Sequence, residues 1–147
     1  MVYGENITKG SPVVVKLEQE FAKLPEPSAL PTGDGQDCAF DPTGSYLAVA
    51  HNYSPYITIY KRNGNTFTKL PNPSTLPTDT GRSCAFDPTG TYLAVAHFTS
   101  PYITIYKRNG DTFTNLPDPP TLPVGTGTGC AFDPTGTYLA ITHSSTP

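Results

Sequence analysis

Apolar and polar residues alternate most cleanly in Tyr102-Ile103-Thr104-Ile105-Tyr106. The isoleucines share one face there and Tyr/Thr/Tyr share the other, which predicts a strand. The same pattern stands at Tyr56-Ile57-Thr58-Ile59-Tyr60. Upstream of each lies an apolar run, Tyr46–His51 or Tyr92–His97, with Leu93 and Val95 on one face. A shorter apolar run, Cys-Ala-Phe, begins at Cys38, Cys84 and Cys130. Turn chemistry separates these runs. Asp-Pro-Thr-Gly follows each Cys-Ala-Phe: Asp bonds its own backbone, Pro presets φ and Gly closes the turn. Asn63-Gly64 and Asn109-Gly110 are strong hairpin signals. The pattern predicts four short strands per unit: A (CAF), B (YLAVAH), C (YITIY) and D (FTKL). No helix is predicted.

The unit is 46 residues long and opens at Phe21, Phe67 and Phe113. Residues 21–66 and 67–112 differ at only 11 of 46 positions. Such a unit cannot bury its apolar face alone, so copies must stack. Four-stranded units at this spacing predict an all-β fold, a β-propeller of four-stranded antiparallel blades. Two blades are expected over 38–70 and 84–116. A third is split: SPVVVKL…FAKLP (11–25) is similar to the C–D stretch SPYITIY…FTKLP, and 130–147 supplies strands A and B. Three blades cannot close a ring that needs about 4–8. The expectation is a homodimer with six blades, closed by strand exchange, with a homotrimer of nine blades as the alternative.

AFDPTGTYLAVAH followed by PYITIYKRNG resembles WD40 and YVTN-type propeller blades over nearly the whole chain. The Gly-His before strand A and the Trp-Asp ending strand C are absent, and the chain has no Trp. The Asp–His–Ser/Thr–Trp network of WD40 proteins is therefore not carried over. The pattern is closer to the YVTN type. Near-identical tandem blades also resemble propeller-repeat proteins of phages and bacteria. YVTN-type relatives include lactonase-like enzymes.

Composition changes this picture little. Seventeen prolines and thirteen glycines recur at fixed places and read as turn punctuation. Nine basic and twelve acidic residues give a net charge of −3, without the basic stripe of a nucleic-acid binder. Lys61-Arg62 and Lys107-Arg108 read as solvated hairpin ends. No run of about 18 apolar residues suggests a membrane span. The first residues lack a charged-then-apolar export signal. Three cysteines, one per copy, do not make a disulfide framework and read as small buried hydrophobes.

Candidate chemistry lies where the copies differ. The D–A links read Asp34-Gly35-Gln36-Asp37, Thr80-Gly81-Arg82-Ser83 and Thr126-Gly127-Thr128-Gly129. The B–C loops read Asn52-Tyr53, Phe98-Thr99 and Ser144-Ser145. In a propeller blade both loops leave by one face, where function on β scaffolds tends to sit. The candidate ligand-binding residues are Gln36, Asp37, Asn52, Tyr53, Arg82, Ser83, Phe98 and Thr99, with His51, His97 and His143 at the ends of strand B. Equivalent histidines on neighbouring blades stand about 10 Å or more apart, too far for one metal ion with bonds of about 2 Å. No metal or cofactor is expected. Asp41, Asp87 and Asp133 read as turn caps. Tyr56, Tyr60, Tyr102 and Tyr106 read as packing between blades, with a stacking platform for sugars as the alternative. Near-exact repetition argues against catalysis, which needs different groups around one centre. The expectation is thus a non-enzymatic scaffold presenting its loop face to a protein partner. The alternatives are a lectin-like saccharide binder and a degenerate lactonase-like enzyme.

Overall fold

The structure, a computed structural model, describes residues 22–27 and 29–144. Its ten strands are β1 (Gly35–Phe40), β2 (Tyr46–His51), β3 (Ile57–Asn63), β4 (Thr66–Lys69), β5 (Gly81–Phe86), β6 (Tyr92–His97), β7 (Ile103–Asn109), β8 (Thr112–Asn115), β9 (Gly127–Phe132) and β10 (Leu139–His143). They form two four-stranded antiparallel sheets, β1-β2-β3-β4 and β5-β6-β7-β8, and a β9–β10 pair. Among the described residues there is no helix. The first strands β1, β5 and β9 lie side by side, with β5 between the other two. Strand A begins earlier than Cys-Ala-Phe predicts, at Gly35, Gly81 and Gly127. The expected C–D strands of the split blade fall mostly outside the described residues, and residues 22–25 hold no strand.

The turns form for the reasons their sequence gives. Asp41 Oδ1 accepts from the Tyr46 N–H at 2.8 Å and Oδ2 from the Thr43 hydroxyl at 2.6 Å. Gly44 closes this turn at a φ of 66°, a conformation that costs a residue with a Cβ about 1 kcal/mol or more. Asp87 and Asp133 repeat the cap on Tyr92 and Tyr138. The Arg62 and Arg108 side chains, on the third strand of each sheet, reach over to the Gly44 and Gly90 carbonyls of these same turns at 2.6 and 2.7 Å.

The core lies between sheets rather than within one. Tyr46, Ala48, Ile57 and Ile59 of the first sheet pack with Cys84, Leu93, Val95 and Phe113 of the second. A second cluster joins Ala94, Ala96 and Ile103 to Cys130, Phe132, Leu139 and Ile141. Ile57 and Ile59 of β3 face the second sheet, and Thr58 and Tyr60 on the opposite face are buried as well, bonded to His51 and the Ala29 carbonyl. Two glycines set the closeness of the seams. A Cβ on Gly81 would strike the Tyr56 carbonyl, and one on Gly127 would strike the Tyr102 carbonyl. Tyr56 and Tyr102 hold φ values of 67° and 69°, rare for a side chain of this size, which aim those carbonyls.

Candidate functional site

The D–A links and B–C loops leave by one face. The Asn52, Phe98 and Ser144 N–H groups donate to the carbonyls of Asp34, Thr80 and Thr126 at 3.3, 3.1 and 2.9 Å. Neighbouring copies are latched here too: the Thr80 hydroxyl donates to the Asn52 carbonyl at 3.4 Å, and Thr126 to that of Phe98 at 3.0 Å. The face is thus one continuous rim beside the inner strands.

A bulge decides which residues the inner strands present. The pairing of β1 with β2 slips between Gly35 and Asp37, and that of β5 with β6 between Gly81 and Ser83. An extra residue turns a side chain out of the ladder. Gln36, Arg82 and Thr128 sit in these places and are exposed. The Arg82 guanidinium lies 5.5 Å from the ring centre of Phe98. Among the described residues Arg82 forms no ion pair. Asp34 is exposed on the same rim and is positioned by Asn52, whose Oδ1 accepts from the Asp34 N–H at 2.8 Å and whose Nδ2 donates to the Asp34 carboxylate at 3.2 Å. Sequence reasoning left Asp34 out of its candidates. Its occurrence in the first copy alone, against Thr80 and Thr126, was the signal.

Asp37 and Ser83 turn inward instead. Asp37 Oδ1 accepts from the Cys38 N–H at 2.8 Å. Its Oδ2 accepts from the Ser83 hydroxyl at 2.8 Å and the Cys84 N–H at 3.1 Å. Ser83 Oγ in turn accepts from the Cys130 N–H at 3.3 Å. The third copy carries Gly129 here. Asp37 and Ser83, with the Cys84 and Cys130 N–H groups, build a hydrogen-bond ladder across the inner strands, and Gly129 adds no side chain to it.

The histidines divide. His51 and His97 are fully buried, and each shares a hydrogen bond through Nε2 with a threonine of the next strand, Thr58 at 2.9 Å and Thr104 at 3.0 Å. Burial holds both imidazoles below their ordinary pKa. Neither reaches the rim. The repeated spacing of seven between His and Thr across the B–C corner was the signal for this pairing. His143 is exposed at the end of β10. Among the described residues no three His, Cys, Asp or Glu side chains gather where they could hold a metal ion. Tyr60 and Tyr106 are buried, and their hydroxyls donate to the Ala29 and Thr75 carbonyls at 2.9 Å, so they offer no stacking surface. Tyr53 and Phe98 are exposed aromatics on the rim, beside Asn52 and Thr99. Two shallow clefts of about 250 and 240 Å³ lie elsewhere, beside β4 and β8, one repeat apart.

No known family profile matches the chain, and no curated protein does. Solved structures do. A protein described as a candidate 6-phosphogluconolactonase from Bacteroides uniformis aligns with a TM-score of 0.58 at 19% identity, over 71% of this chain and 31% of its own. A candidate 6-phosphogluconolactonase from Bacteroides fragilis aligns with a TM-score of 0.55 at 21% identity, over 75% and 28%. The periplasmic gluconolactonase PpgL of Pseudomonas aeruginosa aligns with a TM-score of 0.59 at 16% identity, over 76% and 37%. The fold is therefore that of lactonase-like β-propellers, and the chain spans about a third of the length of these proteins.

These neighbours correct two expectations, that the chain is a non-enzymatic scaffold and that it is not an enzyme. Solved propellers sharing the fold are described as lactonases. The physical error lay in reading repetition as chemical uniformity. The backbone repeats, but Asp34, Gln36 and Asn52 occur in one copy and Arg82 and Phe98 in the next. The rim is asymmetric where the scaffold is not.

Proposed function

We propose that the chain forms part of a lactonase-type propeller that hydrolyses a sugar lactone at the loop face. In that reaction water adds to the ring carbonyl, the ring C–O bond breaks, and a hydroxy carboxylate and a proton are released. The step needs a base for the water and a cation or donor for the oxyanion. Asp34, oriented by Asn52, is the carboxylate placed to take the proton. Arg82, exposed and without a carboxylate partner among the described residues, supplies the positive charge for the oxyanion or for an acidic group on the sugar. Tyr53 and Phe98 offer apolar surface to the sugar ring. The observation that carries this reading is the presence of Asp34 and Arg82, each unique to its copy, on the loop face of a fold shared with lactonases.

The test is a pH-stat assay on gluconolactone and its 6-phosphate. Hydrolysis above the buffer rate is expected. Arg82→Ala should lower kcat/KM by about a hundredfold, and Asp34→Asn by a similar factor. No acceleration by the unsubstituted chain, or full activity in both variants, overturns the reading.

A further inference from the structure

The two ends of the described row of blades are unlike each other, and each lacks what the other offers. The internal seam shows what a complete joint contains. Tyr46 packs edge-on against Phe113, with ring centres 6.2 Å apart, and Phe86 stands 6.2 Å from the same Phe113. The Arg108 guanidinium lies over the Tyr46 ring at 4.3 Å. The Tyr46 hydroxyl donates to Asp111 at 2.6 Å, and Lys61 pairs with that carboxylate at 2.8 Å. The Cys84 thiol points at the Ala48 carbonyl at 3.7 Å, and Gly81 lies under the Tyr56 carbonyl.

One repeat earlier, the head keeps half of this joint. Phe40 and Phe67 lie 6.1 Å apart as Phe86 and Phe113 do, yet Phe40 is 53% exposed. Arg62 is exposed where Arg108 is stacked. Cys38 is exposed where Cys84 is buried. Among the described residues a Cβ on Gly35 would meet only Val49 of its own sheet. The tail keeps the other half. Tyr138, the counterpart of Tyr46, is 73% exposed. Ala140, the counterpart of Ala48 on the same face, is exposed, while Leu139 and Ile141 face back to the second sheet. Among the described residues nothing pairs with the outer edge of β10.

We propose that the tail of one copy binds the head of a second copy, repeating the internal seam, and that two such joints close a six-bladed ring. Tyr138 then enters between Phe67 and Arg62 of the second copy, and the Cys38 thiol of that copy meets the Ala140 carbonyl. The contact is heterologous, so it closes only as a ring. Exposed apolar side chains and an open strand edge at the same end are what such a joint covers.

Light scattering on the 147-residue chain tests this apart from any catalysis. A mass of about 31 kDa, twice the 15.7 kDa of one chain, is expected. Tyr138→Asp at the tail and Phe40→Asp at the head each change an exposed residue, so each should keep the strand signature in circular dichroism while the mass falls to that of one chain. An equimolar mixture of the two variants restores one native joint per pair and should recover mass. Alkylation of Cys38 should slow as the unsubstituted chain is concentrated, and should stay fast in Tyr138→Asp. A monomeric unsubstituted chain, a mass near three chains, a dimer untouched by Phe40→Asp, or a concentration-independent Cys38 rate overturns the proposal.

Discussion

The sheet β5–β8 and the pair β9–β10 share most of their sequence and little of their environment. Leu93 and Val95 are fully buried in one, whereas their counterparts Leu139 and Ile141 are half-covered in the other. His97 is sealed against Thr104 while His143 faces solvent. Identical local propensity has produced different burial. Both pairs of side chains face the preceding sheet, so the seam alone does not set the difference. β6 is flanked on its other edge by β7, whereas among the described residues β10 has no strand there. A side chain in this repeat is sealed only where seam and flanking strand are both present.

The strongest way to break the comparison is to truncate equivalent residues. Leu93→Ala removes a fully buried side chain and should cost about 2–5 kcal/mol in urea unfolding. Leu139→Ala, measured in the monomeric Tyr138→Asp background, should cost clearly less than Leu93→Ala in that same background. Equal costs there would mean that the flanking strand adds nothing to burial at the seam. Next in size is the ladder across β1, β5 and β9. Asp37→Ala removes the acceptor of the Ser83 hydroxyl and the Cys84 N–H, and should cost about 1–3 kcal/mol by the same measurement. Combined with Ser83→Ala it should cost less than the sum of the two single changes, because the substitutions share one bond. Simple additivity would show the ladder to be incidental.

Acid should produce the mildest effect. Burial lowers the His51 and His97 pKa values below their unfolded value of about 6.5. The unfolded chain then takes up protons that the folded chain refuses, so stability is full above that pH and declines as pH falls through it. At Asp41 and Asp87 burial pushes the carboxyl up, but hydrogen bonds from Thr43 and Thr89 and from turn N–H groups outweigh it, and the net shift is downward. Their contribution is present above the unfolded carboxylate pKa of about 3.9 and is lost as pH falls through the lower folded value. Urea midpoints between pH 7 and pH 3 should therefore fall in two stages. A flat profile down to pH 5 would contradict the sealed histidines.

Much of the fold was legible in the chain. Asn-Gly, Asp-Pro-Thr-Gly and the alternation of Tyr-Ile-Thr-Ile-Tyr mark strands and turns through local chemistry, and the sheets follow that order. The early start of strand A was hidden, because Gly-Arg-Ser has weak strand propensity and is held in place by a neighbouring sheet. Sites were less legible. Asp37 and Ser83 differ between copies and so resembled a ligand site, yet their partners lie 46 positions apart in sequence, where no local rule reaches. The inward turn of His51 depends on Thr58, which a helical or strand period within one segment does not reveal. The rim residues Gln36, Arg82, Asn52, Tyr53, Phe98 and Thr99 were singled out because the scaffold leaves their identity free, and all are at least partly exposed.

The ladder has a consequence for folding that its energy alone does not express. Near-interchangeable copies invite mispairing, because any inner strand could dock beside any other with the same backbone register. Asp37, Ser83 and Gly129 are not interchangeable. Beside Ser83 the aspartate receives a hydroxyl; beside Gly129 it would receive none. The side chains thus give each copy an address, and a chain that repeats itself nearly word for word still has only one correct order in which to be assembled.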